Sequence, residues 1–186
     1  MRLNLGCGSN KLDGFINVDK QAACEPDQVV DLESFPWPFE DNAAEEIVLS
    51  HTLEHLGETT ETYLSIIREL YRVCRPGAIV RIAVPHPRHD EFLIDPTHVR
   101  AILPEQFQMF SKAKNREWQA QGFANTPLAF YLDVDFELDS VEVVPAEPWL
   151  SRLRTGEITS EELAHKGMHE FNILKEIRMV ARAVKD

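Results

Sequence analysis

A glycine turn close to the start of the chain sets the tightest limit on its fold. An apolar run at residues 3–6 continues into Gly6-Cys7-Gly8, and a second apolar run occupies residues 15–19. Only eight residues separate Gly8 from Asn17. A crossover between parallel strands ordinarily takes a dozen or more residues, usually with a helix. We therefore expect a shortened first crossover, with its helix reduced to about one turn or absent.

Three further apolar runs, bounded by turn residues, lie at residues 28–32, 46–50 and 78–85. Such runs are typical of strands in a parallel sheet covered on both faces. Apolar residues recur at three- and four-residue spacing between Tyr63 and Cys74, which predicts a helix. Thr59 or Thr60 can cap its start, and Pro76-Gly77 is expected to end it. A strand–helix–strand unit of this kind implies a right-handed crossover in a parallel sheet.

The second half of the chain has a different pattern. Residues 86–107 are polar and rich in histidine and proline, which predicts a long loop leading into a helix at about residues 104–118. Thr159 and Glu162 form a capping-box pattern that predicts a short helix. Alternation of apolar and polar residues at 136–143 and near the C-terminus predicts two strands. We expect these two strands to form an antiparallel pair at one edge of the sheet.

The composition limits the classes of binding partner and the cellular compartment that we expect. The formal net charge is −12, from 31 acidic and 19 basic residues, which weighs against nucleic acid or an anionic membrane as the main partner. No stretch approaches the roughly 20 apolar residues of a membrane span, and no signal peptide is recognisable. Three widely spaced cysteines give neither a disulfide framework nor a zinc motif. We expect a cytoplasmic protein.

Polar residues follow successive predicted strands, where the ligand crevice of an open parallel sheet lies. Asp19 is placed to accept hydrogen bonds from ribose hydroxyls, and Asp31 with Leu32 could frame an adenine. A dinucleotide fingerprint needs a third glycine, but Lys11 stands in that position. Without a full first helix the turn offers a poor pyrophosphate site. A cofactor that lacks phosphate is affected less by this shortening.

The order of four segments resembles the class I S-adenosylmethionine-dependent methyltransferases. These are "LNLGCG", "NVD", "DLESFPWPFEDNAAEEIVLSHTLEHL" and "IIRELYRVCRPGAIVRIAVP". The resemblance covers roughly residues 2–87, and "HTLEHL" and "RVCRPG" are its most specific parts. Within the class, the short first link resembles a compact bacterial group of predicted methyltransferases. The resemblance implies a Rossmann-like, doubly wound α/β fold, mostly parallel with an antiparallel C-terminal edge pair.

The same resemblance implies S-adenosyl-L-methionine as the cofactor and suggests the residues that bind it. The glycine turn would lie against the methionine part, Asp19 against the ribose, and Ser50 with His51 under the sulfonium. The full expected set is Asn4, Gly6, Cys7, Gly8, Asp19, Asp31, Leu32, Ser50 and His51. One domain over residues 1–186 is expected, with the cofactor half at about 1–87 and the acceptor side at about 88–186.

The stretch "PHPRHDEFLIDPTHVR" begins where the fifth predicted strand ends, so it should lie over the crevice. Three interpretations stay open: a loop with structural roles, a loop for substrate binding and acid–base chemistry, and a metal site. The catalytic candidates are His51, His86 and His98, with His86 or His98 as the base. Arg88, His89, Asp95 and Arg100 are the candidates for binding the acceptor. No residue is assigned to a metal.

The favoured function is methyl transfer to a small-molecule or glycan-type acceptor. One alternative is a domain that binds S-adenosylmethionine without catalysing transfer, such as a regulatory subunit. A nicotinamide-dependent oxidoreductase is a weaker alternative, because the turn lacks the phosphate-binding features. The predicted first strand begins at residue 3, so we expect no N-terminal lid. A partner subunit, as in a homodimer, could take the place of such a lid.

Overall fold

Seven strands form one mixed sheet in the computed structural model, which describes residues 1–185. The strands are β1 Arg2–Leu5, β2 Ile16–Asp19, β3 Gln28–Val29, β4 Ala44–Ser50, β5 Cys74–Pro85, β6 Phe136–Pro145 and β7 Leu174–Ala183. The helices are α1 Thr60–Val73, α2 Asp90–Leu93, α3 Pro104–Gln108, α4 Lys112–Ala120, α5 Leu128–Leu132, α6 Trp149–Thr155 and α7 Ser160–His169.

The strand order is β3-β2-β1-β4-β5-β7-β6. The first five strands in this order run parallel, and β1 lies at the centre of the parallel part, with Leu3 paired to Ile16 on one side and Ile47 on the other. β7 runs antiparallel to both β5 and β6. The predicted Rossmann-like, mostly parallel sheet with an antiparallel C-terminal edge pair is confirmed.

The first crossover contains no helix, as its length predicted. The chain leaves β1 at Gly6, and the amides of Gly6 and Cys7 both donate to the carbonyl of Val18 in β2, at 2.8 and 2.9 Å. The next link, from β2 to β3, holds only a 3₁₀ turn at Ala22–Cys24. Among the described residues, the first α-helix is therefore α1, which begins after β4.

The apolar core lies on the face of the sheet that α1 covers. Side chains that alternate along β4, β5 and β7 pack there, together with three aromatic residues from the second half of the chain. The main members are Leu3, Leu5, Ile47, Leu49, Ile66, Ile67, Leu70, Val80, Ile82, Phe107, Phe110, Phe136, Ile177 and Met179. Thr59 caps α1 as expected, accepting a hydrogen bond from the amide of Thr62 at 3.2 Å.

The opposite face of the sheet is only partly covered. Because neighbouring residues of a strand point to opposite faces, Val48, Arg81 and Val180 lie on this side, where Arg81 is exposed and the two valines are half-exposed. Glu46 accepts hydrogen bonds from Arg2 and Arg81, both at 2.8 Å. Paired charges thus occupy much of a face on which the sequence had led us to expect covering elements. The short links between β1 and β4 supply no α-helix to cover it.

Several predicted boundaries differ from the structure. α1 ends at Val73, so Pro76-Gly77 lies inside β5 rather than at the end of the helix. The helix expected at 104–118 is divided into α3 and α4, because Ser111 starts a new helix by accepting a hydrogen bond from the amide of Lys114. The capping box of Thr159 and Glu162 begins α7, as predicted.

No helix within residues 1–185 combines the length and the apolar character that crossing a bilayer requires.

Candidate functional site

A cleft of about 560 Å³, including its open mouth, lies at the carboxyl ends of the parallel strands. Its lining residues are Gly6, Asp19, Lys20, Val30, Asp31, Leu32, His51, Thr52, His55 and Leu56. Each of the strands β1 to β4 contributes the residues that directly follow or end it. The cleft is therefore at the position expected for the ligand crevice of an open parallel sheet. Gly6, Asp19, Asp31, Leu32 and His51 are the members that the sequence had identified.

The two glycines of the turn are required for different reasons. Gly6 has φ +70°, and a Cβ at this position would lie 2.3 Å from Cγ2 of Thr52. Thr52 is held there because its hydroxyl donates to the carbonyl of Leu5 at 3.1 Å. Gly8 has φ +49° but faces open space. Packing against Thr52 thus excludes a side chain at Gly6, whereas at Gly8 only the backbone conformation favours glycine.

The amides of the glycine turn are already used within the protein. Gly6 and Cys7 donate to Val18, and the amide of Gly8 donates to Oδ2 of Asp19 at 2.8 Å. These groups are consequently not available to bind a pyrophosphate. The other oxygen of Asp19 accepts a hydrogen bond from the amide of Gln21 at 2.8 Å. Since a carboxylate offers about four acceptor sites, Asp19 still has acceptor capacity on the side that lines the cleft.

An apolar wall follows β3. Val30 and Leu32 line the cleft on either side of Asp31. The segment is held in place because Trp37 Nε1 donates to the carbonyl of Leu32 at 3.0 Å, and the amide of Glu33 donates to Oδ1 of Asp31 at 2.9 Å. A flat apolar group bordered by one carboxylate would suit this wall.

Four residues of the expected cofactor set do not line the cleft, namely Asn4, Cys7, Gly8 and Ser50. Asn4 is 3% exposed and donates from Nδ2 to Asn10 and to Asn17, both at 2.9 Å, so it braces the first crossover. The thiol of Cys7 is buried, and burial raises its pKa. Ser50 lies on the partly covered face of the sheet, beside Val48 and Arg81, because strand alternation directs it away from the cleft.

His51 occupies a special position at the end of β4. Its backbone is left-handed, with φ 50°, and its half-exposed ring lies between two carboxylates. Nδ1 is 3.5 Å from Oε1 of Glu54, and Nε2 is 2.9 Å from Oε2 of Glu176. Interaction with Glu54 and then Glu176, against the opposing effect of burial, raises the pKa of His51 to about 9. His51 is therefore a cation at neutral pH and cannot accept a proton there.

The histidine-rich stretch divides into two halves that contact different parts of the protein. The first half follows β5 and contacts β7 and α7. The amide of His86 donates to Lys175 at 2.8 Å, the guanidinium of Arg88 donates to the carbonyl of Met168, and Asp90 exchanges hydrogen bonds with Asn172. None of these residues lines the cleft.

Hydrogen bonds determine which ring nitrogen of His86 and of His89 carries the proton. Nδ1 of His86 accepts the amide hydrogen of Arg88 at 3.2 Å, so the neutral ring carries its proton on Nε2. Burial, followed by the nearby charge of Arg88, lowers the pKa of His86. Nδ1 of His89 similarly accepts from the amide of Glu91 at 3.2 Å and caps α2. His86 is neutral but has no free nitrogen lone pair with which to act as a base.

The second half of the stretch packs against the 3₁₀ turn Leu53–His55 at the cleft. The amides of Val99 and Arg100 donate to the carbonyl of Glu54 at 2.9 and 3.2 Å. Arg100 also donates to the carbonyl of Gly57 at 2.9 Å and stacks over the ring of Tyr63.

The rings of His98 and His55 lie 4.5 Å apart. Of the two histidines expected to act as base, His98 is the one in contact with a residue that lines the cleft. Asp95 is held by Thr97, whose amide and hydroxyl donate to Oδ1 at 2.8 and 2.6 Å.

Sequence reasoning missed several residues of this region. Thr52, His55 and Leu56 line the cleft and belong to the "HTLEHL" segment, so their proximity to His51 was a usable signal. Glu176 had no such signal, because 125 positions separate it from His51.

Comparison with known proteins agrees with this architecture. A family model described as a methyltransferase domain matches residues 7–82. A demethylmenaquinone methyltransferase from Staphylococcus epidermidis is 28% identical over 115 residues, which is 60% of this chain and 46% of that protein. The chain thus spans about half the length of the curated relatives it matches.

Solved structures share the fold over nearly the whole chain. A SAM-dependent methyltransferase from Archaeoglobus fulgidus superposes with a TM-score of 0.65 at 19% identity, covering 97% of this chain and 85% of that one. The [4+2]-cyclase SpnF has a TM-score of 0.55 at 17% identity, covering 100% and 75%. In its strand order, its cleft and the matched domain model, the chain is similar to the class I S-adenosylmethionine-dependent methyltransferases.

Proposed function

We propose that this protein transfers the methyl group of S-adenosyl-L-methionine to a small-molecule acceptor. The observation that carries the proposal is the cleft itself, in which Gly6, Asp19, Asp31 and His51 meet from four parallel strands. We do not assign the substrate of the Staphylococcus relative to this chain, because less than half of that protein is matched.

The residues of the cleft fit S-adenosylmethionine in three respects. Asp19 has acceptor sites left for ribose hydroxyls, while Val30 and Leu32 offer an apolar wall for adenine. The turn amides are already bonded, which disfavours a dinucleotide and does not affect a cofactor that has no phosphate.

When bound, S-adenosylmethionine supplies a methyl group on a sulfonium, a good leaving group. The protein's part is to bind, to orient and to exclude water. His51, Glu54 and Glu176 together carry one positive and two negative charges beside the cleft, an environment that suits a cationic ligand. Arg178 offsets part of this charge because it donates to Glu176.

Removing a proton from the acceptor requires a neutral base near the cleft. Neither His51, which is protonated, nor His86, whose Nδ1 accepts the amide hydrogen of Arg88, can take that proton at neutral pH. The same observation favours a second function, a domain that binds the cofactor without transferring its methyl group.

Three cysteines without disulfides, Cys7, Cys24 and Cys74, support a reducing compartment such as the cytoplasm. The proposed acceptor is a small molecule, and the acidic net charge argues against nucleic acid in that role.

Calorimetric titration with S-adenosylhomocysteine and, separately, with NAD tests the cofactor assignment. We expect one molecule of S-adenosylhomocysteine per chain and no binding of NAD. Asp19→Asn should weaken S-adenosylhomocysteine binding by about ten-fold or more, because a hydrogen bond to a charged group contributes about 1.5–3 kcal/mol. Asp13→Asn is the matched control, since Asp13 is exposed and does not line the cleft. Binding of NAD, or equal affinity in both variants, would refute the proposal.

A further inference from the structure

We propose that Glu54, His55 and His98 form a binding site for a divalent transition-metal ion at the end of the cleft. One ligand atom from each of the three residues lies within 4.8 Å of the other two. Glu54 and His55 are neighbours in the 3₁₀ turn Leu53–His55, and His98 comes from the second half of the histidine-rich stretch. No spacing motif connects these residues in the sequence, so the site depends on the fold of that stretch.

The buried carboxylate of Glu54 lacks hydrogen-bond donors. Its side chain is 1% exposed, yet neither carboxylate oxygen accepts a hydrogen bond from any residue of the described chain. The nearest cationic group is Nδ1 of His51, 3.5 Å from Oε1. Burying a carboxylate without hydrogen bonds is costly, and buried charges are ordinarily paired or coordinate a metal. A cation between Glu54 and the two histidines would satisfy the oxygens left without a donor.

The hydrogen bonds of both histidines are made by Nδ1, so Nε2 can bind a metal; Oδ2 of Asp95 lies 3.8 Å from Nε2 of His98. Nδ1 of His98 lies 2.8 Å from the carbonyl of Phe92, and because a carbonyl only accepts, Nδ1 carries the proton. Nδ1 of His55 lies 2.9 Å from the hydroxyl of Thr97, which donates its own hydrogen to Asp95. Nδ1 of His55 is therefore also a donor. In each neutral ring the lone pair remains on Nε2.

These outer contacts resemble those that orient metal ligands. A ligating histidine typically donates its other ring N–H to a carboxylate, a backbone carbonyl or a similar acceptor, which fixes the ring and its tautomer. Phe92 serves His98 in this way, and the Asp95–Thr97 pair serves His55. The rings of Phe92 and His98 also stack, with centroids 5.3 Å apart.

The donor set indicates the class of ion. Two imidazoles and one carboxylate suit a divalent ion such as Zn²⁺ or Fe²⁺ rather than Mg²⁺ or Ca²⁺, which prefer oxygen ligands. Three protein ligands leave coordination positions open. Since His55 also lines the cleft, an open position could hold an oxygen or nitrogen donor of the acceptor. This role rests on the proposed function, whereas the metal site itself does not.

Zinc binding to the full chain tests the site. The surface histidines His165 and His169, with ring centroids 4.7 Å apart on α7, could also bind zinc and compete with the proposed site. The titrations are therefore carried out in the His165→Ala background after dialysis against a chelator. We expect one Zn²⁺ per chain by calorimetry and an X-ray absorption spectrum with two imidazole ligands. Glu54→Gln and His98→Ala should each weaken zinc binding by about ten-fold or more, a loss at least as large as that from substituting the residues that orient metal ligands.

His89→Ala is the matched control, because His89 belongs to the same histidine-rich stretch but caps α2 outside the cluster. It should bind zinc with unchanged affinity. No stoichiometric binding, a spectrum without imidazole ligands, or equal affinity in all variants would overturn the proposal and leave an ordered water as the partner of Glu54. If Glu54→Gln fails to fold, the X-ray absorption spectrum of the protein that retains all three ligands still tests whether the metal is bound by two imidazoles. S-adenosylhomocysteine binding, measured separately, shows whether the cofactor proposal fails independently.

Discussion

Nε2 of His51 lies 2.9 Å from Oε2 of Glu176, which joins the end of β4 to β7 across 125 positions of the chain. The pKa of His51 is raised from 6.5 to about 9 by Glu54 and Glu176, and Arg178 is the charged neighbour of Glu176. A raised pKa means that the native state binds the proton more tightly than the unfolded state. This stabilisation is complete below about pH 6.5 and is lost as the pH rises through about 9.

We expect His51→Gln to remove this pH dependence. With a chelator present, the free energy of unfolding of the wild type should fall between these pH values by about 1 kcal/mol more than that of the variant. The figure is small because His51 is half-exposed and solvent screens the pairs. Urea unfolding at several pH values measures it. Parallel curves for the two proteins would show that His51 is not paired as described.

The contact between Gly6 and Thr52 predicts a large difference between two alanine substitutions in one turn. Gly6→Ala should destabilise the protein by about 3 kcal/mol, combining left-handed strain with overpacking against Thr52. Gly8→Ala should cost only about 1 kcal/mol, because only the strain remains. Equal losses in urea unfolding would argue against the close contact at Gly6.

Because Asn4 lies outside the cleft, its substitution should lower the stability of the protein without weakening cofactor binding. Asn4→Ala removes donors to Asn10 and Asn17 and should lower the free energy of unfolding by about 1–3 kcal/mol. At a temperature where the variant is folded, its affinity for S-adenosylhomocysteine should equal that of the wild type. A weakened affinity at full stability would place Asn4 in the cofactor site after all.

The ion pairs on the partly covered face of the sheet predict an acid-dependent contribution from Glu46. Hydrogen bonding from Arg81, and also from Arg2, holds the pKa of Glu46 below its usual value of 4.5. The stabilisation is thus present above about pH 4.5 and is lost as the pH falls through the lower native value. Glu46→Gln should cost about 1 kcal/mol at neutral pH and progressively less in acid. Glu40→Gln, at an exposed position, serves as the control.

Residue spacing, capping motifs and segment lengths in the sequence predicted the elements that are stabilised mainly by contacts between residues close in the chain. The helix from Thr60 follows from the spacing of its apolar residues, and α7 follows from its capping box. The first crossover without a helix follows from chain length alone. The extension of β5 through Pro76 accompanies the pairing of Cys74 with the distant Ala44, which no local pattern records. The break at Ser111 follows from a local cap, Ser111 with Lys114, that the apolar spacing did not indicate.

The sequence by itself determined the order of the strands along the chain, the glycine turn and the acidic residues that end β2 and follow β3. These features depend on backbone sterics and on periodicity within a few residues. Only the tertiary structure decided that Ser50 lies away from the cleft, that His51 is held between Glu54 and Glu176, and that His98 meets His55. Sheet register and loop packing bring such residues together, and both depend on the whole core rather than on neighbouring residues.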